Sequence, residues 1–299
     1  MTLKQLEAFY AAATSASFAV AAAQLHLSQS SLSKRIAELE QTLGRTLFDR
    51  AGHRSALTAA GKLLLPRARD MLAAADAARA AVGQDDPLQG LCRFGLGELA
   101  AMTWLPRFVA RCREDFPALQ LEPQVDMGQA LESRLISGEL DFAVVAGWSS
   151  HNAIASHTIA EVRYGWAGAP ELLRGRRLIT AEVLQDIPVI TMPPAAGSTR
   201  LFDAWLSANT LAVPRRLVCN NMSAIAGLVR AGIGVSFFPE GWLKPLVERG
   251  AVAVLDSDPP LRALHYSFQW RRDDIRPALA ALRERVVQVA DFSVPHPLW

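Results

Sequence analysis

Three groups of polar residues in this chain have the type and spacing to do chemistry. Gln29, Ser30, Ser33 and Lys34, with Arg35 beside them, fall in the first two turns of a sequence patterned as a helix. Amide, hydroxyl and ammonium groups placed there can donate and accept along a surface laid against the helix. The run Asp49-Arg50-Ala51-Gly52-His53-Arg54 is a basic turn whose Arg50, His53 and Arg54 suit phosphate oxygens. The third group is dispersed over Gly97-Glu98-Leu99-Ala100, Met127-Gly128-Gln129, Gly197-Ser198-Thr199-Arg200 and Asn220-Asn221-Met222-Ser223. Each of these stretches precedes or opens a patterned helix, where free N–H groups collect the polar atoms of a ligand.

Catalytic and metal-binding patterns are missing. No Gly-x-Ser-x-Gly, phosphate loop or His-Glu-x-x-His occurs, and the six histidines His26, His53, His151, His157, His265 and His296 form no local ligand set. His26 reads as a turn residue, His53 as part of the basic turn, and His151 and His157 as loop residues. Gly232-Ile233-Gly234 follows a helix and precedes a strand, the reverse of a dinucleotide loop, and lacks the third glycine. Cys92, Cys112 and Cys219 are odd in number and widely spaced, which fits reduced, mostly buried thiols better than disulfides or zinc. No cofactor and no metal is expected, and the chain does not read as an enzyme.

The elements that position the first two groups follow from apolar periodicity. Leu3, Leu6, Phe9 and Tyr10 mark a first amphipathic helix, and Ser17 caps a short second one from Phe18 to Leu25. After the break His26-Leu27, Ser28 caps a third helix reaching Leu43, with Leu32, Ile36, Leu39 and Leu43 on its inner face. Two short helices around a tight turn make a helix-turn-helix, its second helix placed for a major groove. Gly44 ends that helix, and Leu47, Phe48 and Leu57 flank the basic turn as a wing would. Thr58 then caps a long helix from Ala59 to about Val82, with a kink expected at Pro66. Leu57, Gly61, Leu64, Ala68, Met71, Ala75, Ala78 and Val82 repeat in steps of four and three, the pattern of a coiled-coil seam. Packing of the stripe on the chain's own domains is the alternative. Pairing with a second subunit is the reading adopted, because both flanking units look complete without it.

From Leu91 onward strands and helices alternate, giving an α/β unit with mainly parallel sheet and ligands at the carboxyl ends of its strands. Ser198 and Thr199 serve there as ligand contacts or as caps. Arg200 binds a carboxylate or lies on the surface, and Glu98 argues against a purely anionic ligand unless it points away. Trp104, Trp166, Trp205 and Trp270 fit core packing.

The run Leu25-His26-Leu27-Ser28-Gln29-Ser30-Ser31-Leu32-Ser33-Lys34-Arg35-Ile36, followed by Leu39-Glu40, Leu43-Gly44, Leu47-Phe48-Asp49-Arg50 and Leu57-Thr58-Ala59-Ala60-Gly61, resembles the DNA-binding signature of LysR-type transcriptional regulators. It departs at Ser30-Ser31, where the family usually has Pro-Ala, and at Lys34, where it usually has Arg. Lysine lacks the planar fork that arginine offers to guanine. Phe94-Gly95-Leu96-Gly97-Glu98, Trp104-Leu105-Pro106, Gly138-Glu139-Leu140-Asp141-Phe142-Ala143 and Val229-Arg230-Ala231-Gly232-Ile233-Gly234-Val235 through Pro239 are similar to the family's effector-binding domain.

The resemblance implies a winged helix-turn-helix over residues 1–58, a dimerising linker helix over 59–88 and a two-lobed α/β effector domain over 89–299 like type 2 periplasmic binding proteins. The lobes would span 89–162 plus 266–292, and 163–265. At Leu99 and Gly128 this chain lacks hydroxyls the family often has, which leaves that side of the cleft apolar. Implied partners are promoter DNA, a small-molecule effector, further copies of the chain as a dimer or tetramer, and RNA polymerase if the regulator activates.

Whole-chain properties agree. Of the 299 residues 51% are hydrophobic and 20% charged, as in a globular protein. The net charge of +2 lies entirely in residues 1–60, which carry six bases and four acids. Neither a signal peptide nor a run of roughly 18 apolar residues occurs, so a cytoplasmic location and no membrane partner are expected. A solute-binding transport protein would share the sensor fold without the helix-turn-helix. A deaminase-like enzyme on the same lobes would need a catalytic set that is not found.

Overall fold

The computed structural model describes residues 1–15, 17–49, 56–82 and 88–294. Helix starts fall where side chains can accept from the open N–H groups of a first turn. Thr2 and Gln5 form a capping box on α1 (Leu3–Thr14). Ser17 caps α2 (Phe18–Gln24), and Ser28 caps α3 (Gln29–Leu43). Between α2 and α3 His26 turns the chain with φ 52°, and Gly44 ends α3 with φ 64°. Leu6, Phe9, Leu32, Ile36 and Leu39 fill the core, whereas Leu43, at the frayed end of α3, is 39% exposed. β1 (Phe48–Asp49) pairs antiparallel with β2 (Ala56–Leu57). Glu40 Oε1 anchors this pair to α3 by accepting from the N–H groups of Leu47 (2.7 Å) and Phe48 (3.3 Å). The basic-turn residues Arg50, His53 and Arg54 lie outside the described residues.

Thr58 accepts from Gly61 N at 3.1 Å and opens α4 (Ala59–Val82), which runs on through Pro66. The structure divides the apolar stripe read as an intersubunit seam. A Cβ on Gly61 would lie 2.3 Å from Leu47 O, so α4 starts pressed against its own domain. Ala68 is fully buried in that same core. Gly61 and Ala68 thus serve close packing within the chain. Met71 and Ala78, further along, are exposed.

The remaining residues form two lobes. β3 (Gly90–Leu96), α5 (Glu98–Thr103), α6 (Leu105–Asp115), β4 (Leu119–Val125), α7 (Gly128–Ile136), β5 (Phe142–Ala146) and β6 (Ile154–Val162) build the first. The chain then crosses at Arg163 into β7 (Tyr164–Gly168), α8 (Pro170–Leu173), β8 (Leu178–Ile179), α9 (Ala181–Asp186), β9 (Val189–Thr191), α10 (Gly197–Ala208), β10 (Arg216–Val218), α11 (Met222–Arg230), β11 (Ser236–Pro239), α12 (Glu240–Glu248) and β12 (Ala253–Ser257). It returns through β13 (Leu264–Arg271) and α13 (Pro277–Val289). The first sheet has the order β4-β3-β5-β13-β6, and the second β11-β7-β12-β8, with the parallel pair β9-β10 joined to it by a Val189–Val235 bridge.

Both sheets are mixed, not mainly parallel. β3 runs parallel to β4 and β5, but β13 is antiparallel to β5 and β6, and β7 is antiparallel to β11 and β12. The antiparallel strands include those entering and leaving the crossovers, which the alternation of strands and helices does not reveal. His157, expected in a loop, lies in edge strand β6 opposite Phe268. Trp104 and Trp166 are buried as expected.

A buried ionic network fixes the linker helix to the first lobe. Asp141 accepts from Arg93 N (2.8 Å) and pairs with Arg276 (2.7 Å). Arg276 also holds Asp274 (2.6 Å), which pairs with Arg69 of α4 at 3.3 Å. Asp70 meets Arg271 at 2.9 Å, and Tyr10 of α1 donates to Gly138 O. Burial pushes the Asp274 carboxyl up, but Arg276 and Arg69 outweigh it and hold it below the usual range. Asp273 is likewise lowered, chiefly by its hydrogen bond from Arg271. Lowered carboxyls stabilise the fold fully above their unfolded value of about 3.9, and this is lost as pH falls through the folded value. Asp274→Asn leaves two buried guanidiniums short of a carboxylate, so a loss of about 3–5 kcal/mol at pH 7 and a flatter acid limb are expected. Urea unfolding across pH measures both. An unchanged midpoint would show the network to be without weight.

Candidate functional site

On α3, Gln29, Ser30, Ser33 and Lys34 are exposed and Arg35 is half-buried, while Leu32, Ile36 and Leu39 lock the opposite face into the core. The N-cap Ser28 accepts from Ser31 N at 3.1 Å, and its hydroxyl meets that of Ser30 at 2.9 Å. The polar face is therefore rigidly presented, and its first N–H groups point outward with the positive end of the helix dipole.

The second site is a cavity of about 320 Å³ between the lobes. Four helix N-termini converge on it. Gly97, Glu98 and Leu99 come from the start of α5, Gly128 from α7, Ser198 and Arg200 from α10, and Asn221 and Met222 from α11. The lobes approach so closely that a Cβ on Gly197 would lie 2.5 Å from that of Ala146.

Glu98 and Arg200 make polar contacts across the cleft. The Glu98 carboxylate accepts from Asn221 Nδ2 (2.9 Å) and from Met222 N (2.9 and 3.0 Å), so a first-lobe acid occupies the N-terminus of α11. Asn221 also caps that helix through Oδ1, 2.7 Å from Ala224 N. Burial pushes the Glu98 carboxyl up, and the N–H groups of Met222 and Ser223 only partly offset this. Arg200 donates to Ala195 O in its own lobe at 2.7 Å and to Ala146 O across the cleft at 3.5 Å. Glu98 thus points into the cleft, and Arg200 faces it. Ser198 is no cap, since Ala196 holds the N-cap position of α10 without a side-chain bond.

Three expected contacts stand off this cavity. Thr199 is fully buried, its hydroxyl donating to Met192 O at 2.8 Å, because the third residue of α10 rotates back onto β9. Ala100 turns into the core in the same way on α5. Gln129 lines a neighbouring opening of about 750 Å³ with Glu132, Trp148 and Gln269. Sequence periodicity does not single out Tyr164 and Tyr266, whose hydroxyls meet at 3.1 Å beside the crossovers and line the cleft. Burial raises both, Tyr164 to about 12. Their partners lie 102 residues apart, beyond any local pattern.

No group of acidic, histidine or cysteine residues suited to a metal occurs among the described residues, nor does a helix long and apolar enough to cross a membrane. Cys92 and Cys112 are buried, and burial raises both thiols, Cys112 to about 11.

A helix-turn-helix with an outward polar face, joined by one helix to two lobes around a ligand-sized cleft, defines a DNA-binding regulator with a sensor domain. Residues 3–62 match the family model described as the bacterial regulatory helix-turn-helix protein of the lysR family, and residues 85–291 match the LysR substrate binding domain. A probable hydrogen peroxide-inducible genes activator of Mycobacterium avium is 30% identical over 288 residues, covering 94% of this chain and 93% of that protein. The uncharacterized HTH-type transcriptional regulator YeiE of Escherichia coli (strain K12) is 28% identical over 253 residues, 85% of each chain. A full-length OxyR variant from Pseudomonas aeruginosa shares the fold with a TM-score of 0.77 at 19% identity, covering 98% of this chain and 96% of that one. The chain belongs to the LysR family of DNA-binding transcriptional regulators, with an effector-binding domain.

Without its carboxylate partner the first turn of α11 loses its link to the other lobe. Glu98→Ala should speed hydrogen exchange at the Met222 amide by roughly tenfold or more. Unchanged exchange would mean that water replaces the carboxylate at no cost and the bridge does not hold the lobes.

Proposed function

We propose that Gln29, Ser30, Ser33, Lys34 and Arg35 meet base edges and backbone of promoter DNA, with Arg50, His53 and Arg54 on phosphates, and that an effector in the interlobe cleft biases lobe orientation. The observation that carries this is the pairing of an exposed polar helix face with a cleft bridged by Glu98 and Arg200. A ligand inserted there competes with the Arg200 bridge, and coupling to DNA is limited to its differential affinity for the two lobe arrangements.

On this reading the chain divides into 1–58, 59–88 and 89–299, with lobes at 89–162 plus 266–292 and at 163–265. We place the protein in the cytoplasm as a non-enzymatic homo-oligomer, a tetramer built as a dimer of dimers, contacting RNA polymerase where it activates. The exposed stretch of α4 around Met71 supports subunit pairing, because it leaves apolar surface unused by the chain's own domains. Burial makes Cys92 and Cys112 poor nucleophiles, so a peroxide input such as that named for the Mycobacterium relative would have to act at the half-buried Cys219.

Binding to the chain's own upstream DNA by fluorescence anisotropy tests the first part. Gln29→Ala should cost about 1–3 kcal/mol on the preferred site and relax base choice there, whereas Arg54→Ala should weaken all sequences alike and lower the salt dependence. Equal effects of both on specific and random DNA would sink the assignment.

Met71→Glu tests the assembly. A carboxylate buried in a helix pair without a partner should lower the mass seen by light scattering, while the monomer fold survives because Met71 is already 44% exposed. An unchanged mass would move the interface elsewhere.

A further inference from the structure

The opening of about 750 Å³ beside the interlobe cleft is a side mouth of it, since Gly128, Val145, Ala146, Ala195 and Arg200 line both. Each lobe contributes one charge to this mouth. Arg200 stands on α10 of the second lobe, and Glu132 on α7 of the first. The two are not paired with each other. Arg200 is held only by the carbonyls of Ala195 and Ala146, and Glu132 forms no ion pair or hydrogen bond among the described residues.

Two further groups on the Glu132 side are unexplained by the fold. Gln269 of β13 is 1% exposed, and its Nε2 donates to Ser267 Oγ at 3.1 Å and to Gly147 O at 3.4 Å. A carbonyl can only accept, so the amide cannot be turned round, and Oε1 is left buried at the mouth without a donor. Trp148 is 58% exposed yet fixed in place. Its Nε1 donates to Thr158 Oγ1 at 2.9 Å, its ring stacks on His265, and its side chain borders the mouth. A carboxylate, an amide oxygen and an indole ring are all partners of a cation.

Building on the reading of the cleft as an effector site, we propose that the effector is an amino acid with an apolar side chain. Its carboxylate takes the Arg200 guanidinium from the main-chain carbonyls, and its ammonium lies in the side mouth against Glu132, Gln269 Oε1 and the Trp148 ring. Its side chain enters the cleft along Leu99 and Val145, where about 320 Å³ is open to it. A ligand with only one of the two charges leaves the other lobe's group unanswered. A zwitterion binds both, because Arg200 belongs to one lobe and Glu132, Trp148 and Gln269 to the other. Its affinity therefore depends on how the lobes are set, which is the condition for shifting them.

Titration calorimetry on the full chain with L-phenylalanine, 3-phenylpropionate and 2-phenylethylamine tests this, the last two each lacking one of the charges. One L-phenylalanine per chain is expected, with both analogues weaker by about tenfold or more. Glu132→Gln alters a partly exposed side chain with no bond to lose, so the fold survives. It should weaken L-phenylalanine by about tenfold and leave 3-phenylpropionate unchanged, whereas Arg200→Gln should weaken both. Failure of L-phenylalanine to bind, or equal binding of 3-phenylpropionate, overturns the amino-acid class and leaves an effector of another class in the cleft. Loss of binding in Glu98→Gln but not in Glu132→Gln puts the ammonium at α11 and overturns the side-mouth contact. Binding that neither Arg200→Gln nor Glu132→Gln weakens removes the ligand from the cleft and overturns both this proposal and the effector reading beneath it.

Discussion

Asp141 is a carboxylate taken out of water at the point where the DNA-binding unit, the linker helix and the first lobe meet. A buried charge of this kind is tolerated only when its acceptor capacity is filled. Arg93 N on β3 and Arg276 before α13 fill it. Arg276 then requires Asp274, and Asp274 in turn admits Arg69 from α4. Arg69 also donates to Leu140 O, one residue from Asp141. The linker helix is therefore bound to the lobe at residues that also set the register of its central strands. A rotation of that lobe must carry Arg69 with it or strand a buried guanidinium.

This arrangement gives the lobe a lever on the other end of the chain. Arg93, whose N–H satisfies Asp141, also places its guanidinium over the Tyr10 ring at 5.8 Å, and Tyr10 belongs to α1. Burial pushes that phenol up to about 12, so it stays a hydrogen-bond donor to Gly138 O throughout the physiological range. α1 packs in turn on α3. A continuous run of packed and bonded groups thus connects the first lobe to the helix that presents Gln29 and Lys34. Contiguity alone is not coupling, but it identifies which contacts must change if the lobes are to alter the geometry of α3.

How much of this the sequence discloses follows from the range of each interaction. Caps, turns and amphipathic faces depend on neighbours within a turn or two, so Ser17, Ser28, Thr58 and the boundaries of α3 and α4 were legible. The convergence of four helix N-termini was legible too, because strand-to-helix junctions of an α/β sheet share one end. The inward turn of Thr199 was not, since it depends on where α10 begins, and Gly197 starts it one residue after Ala196. The mixed sheet order, the Tyr164–Tyr266 pair and the Asp141 network join residues many tens of positions apart. The stripe on α4 shows another limit. Its period correctly announced a packed face, but period cannot say whether the partner is another chain or the same one.

The Glu98 bridge constrains what the cleft can accept. A helix N-terminus opening onto a ligand cavity ordinarily favours an anion, yet at α11 the protein has supplied its own. An external carboxylate would have to displace Glu98 and leave it half-buried beside a second negative charge, which burial already disfavours. Arg200 has no such competitor, being held only by main-chain carbonyls that a ligand oxyanion can replace with a stronger, charge-assisted bond. The cleft is thus asymmetric in charge. Its acidic bridge faces α11, and its available cation stands at α10, with Leu99 and Val145 supplying apolar wall. A ligand satisfying both ends without expelling Glu98 carries its negative group toward α10 and an uncharged or donor group toward α11, and its binding exchanges the Arg200 bridge while preserving the other.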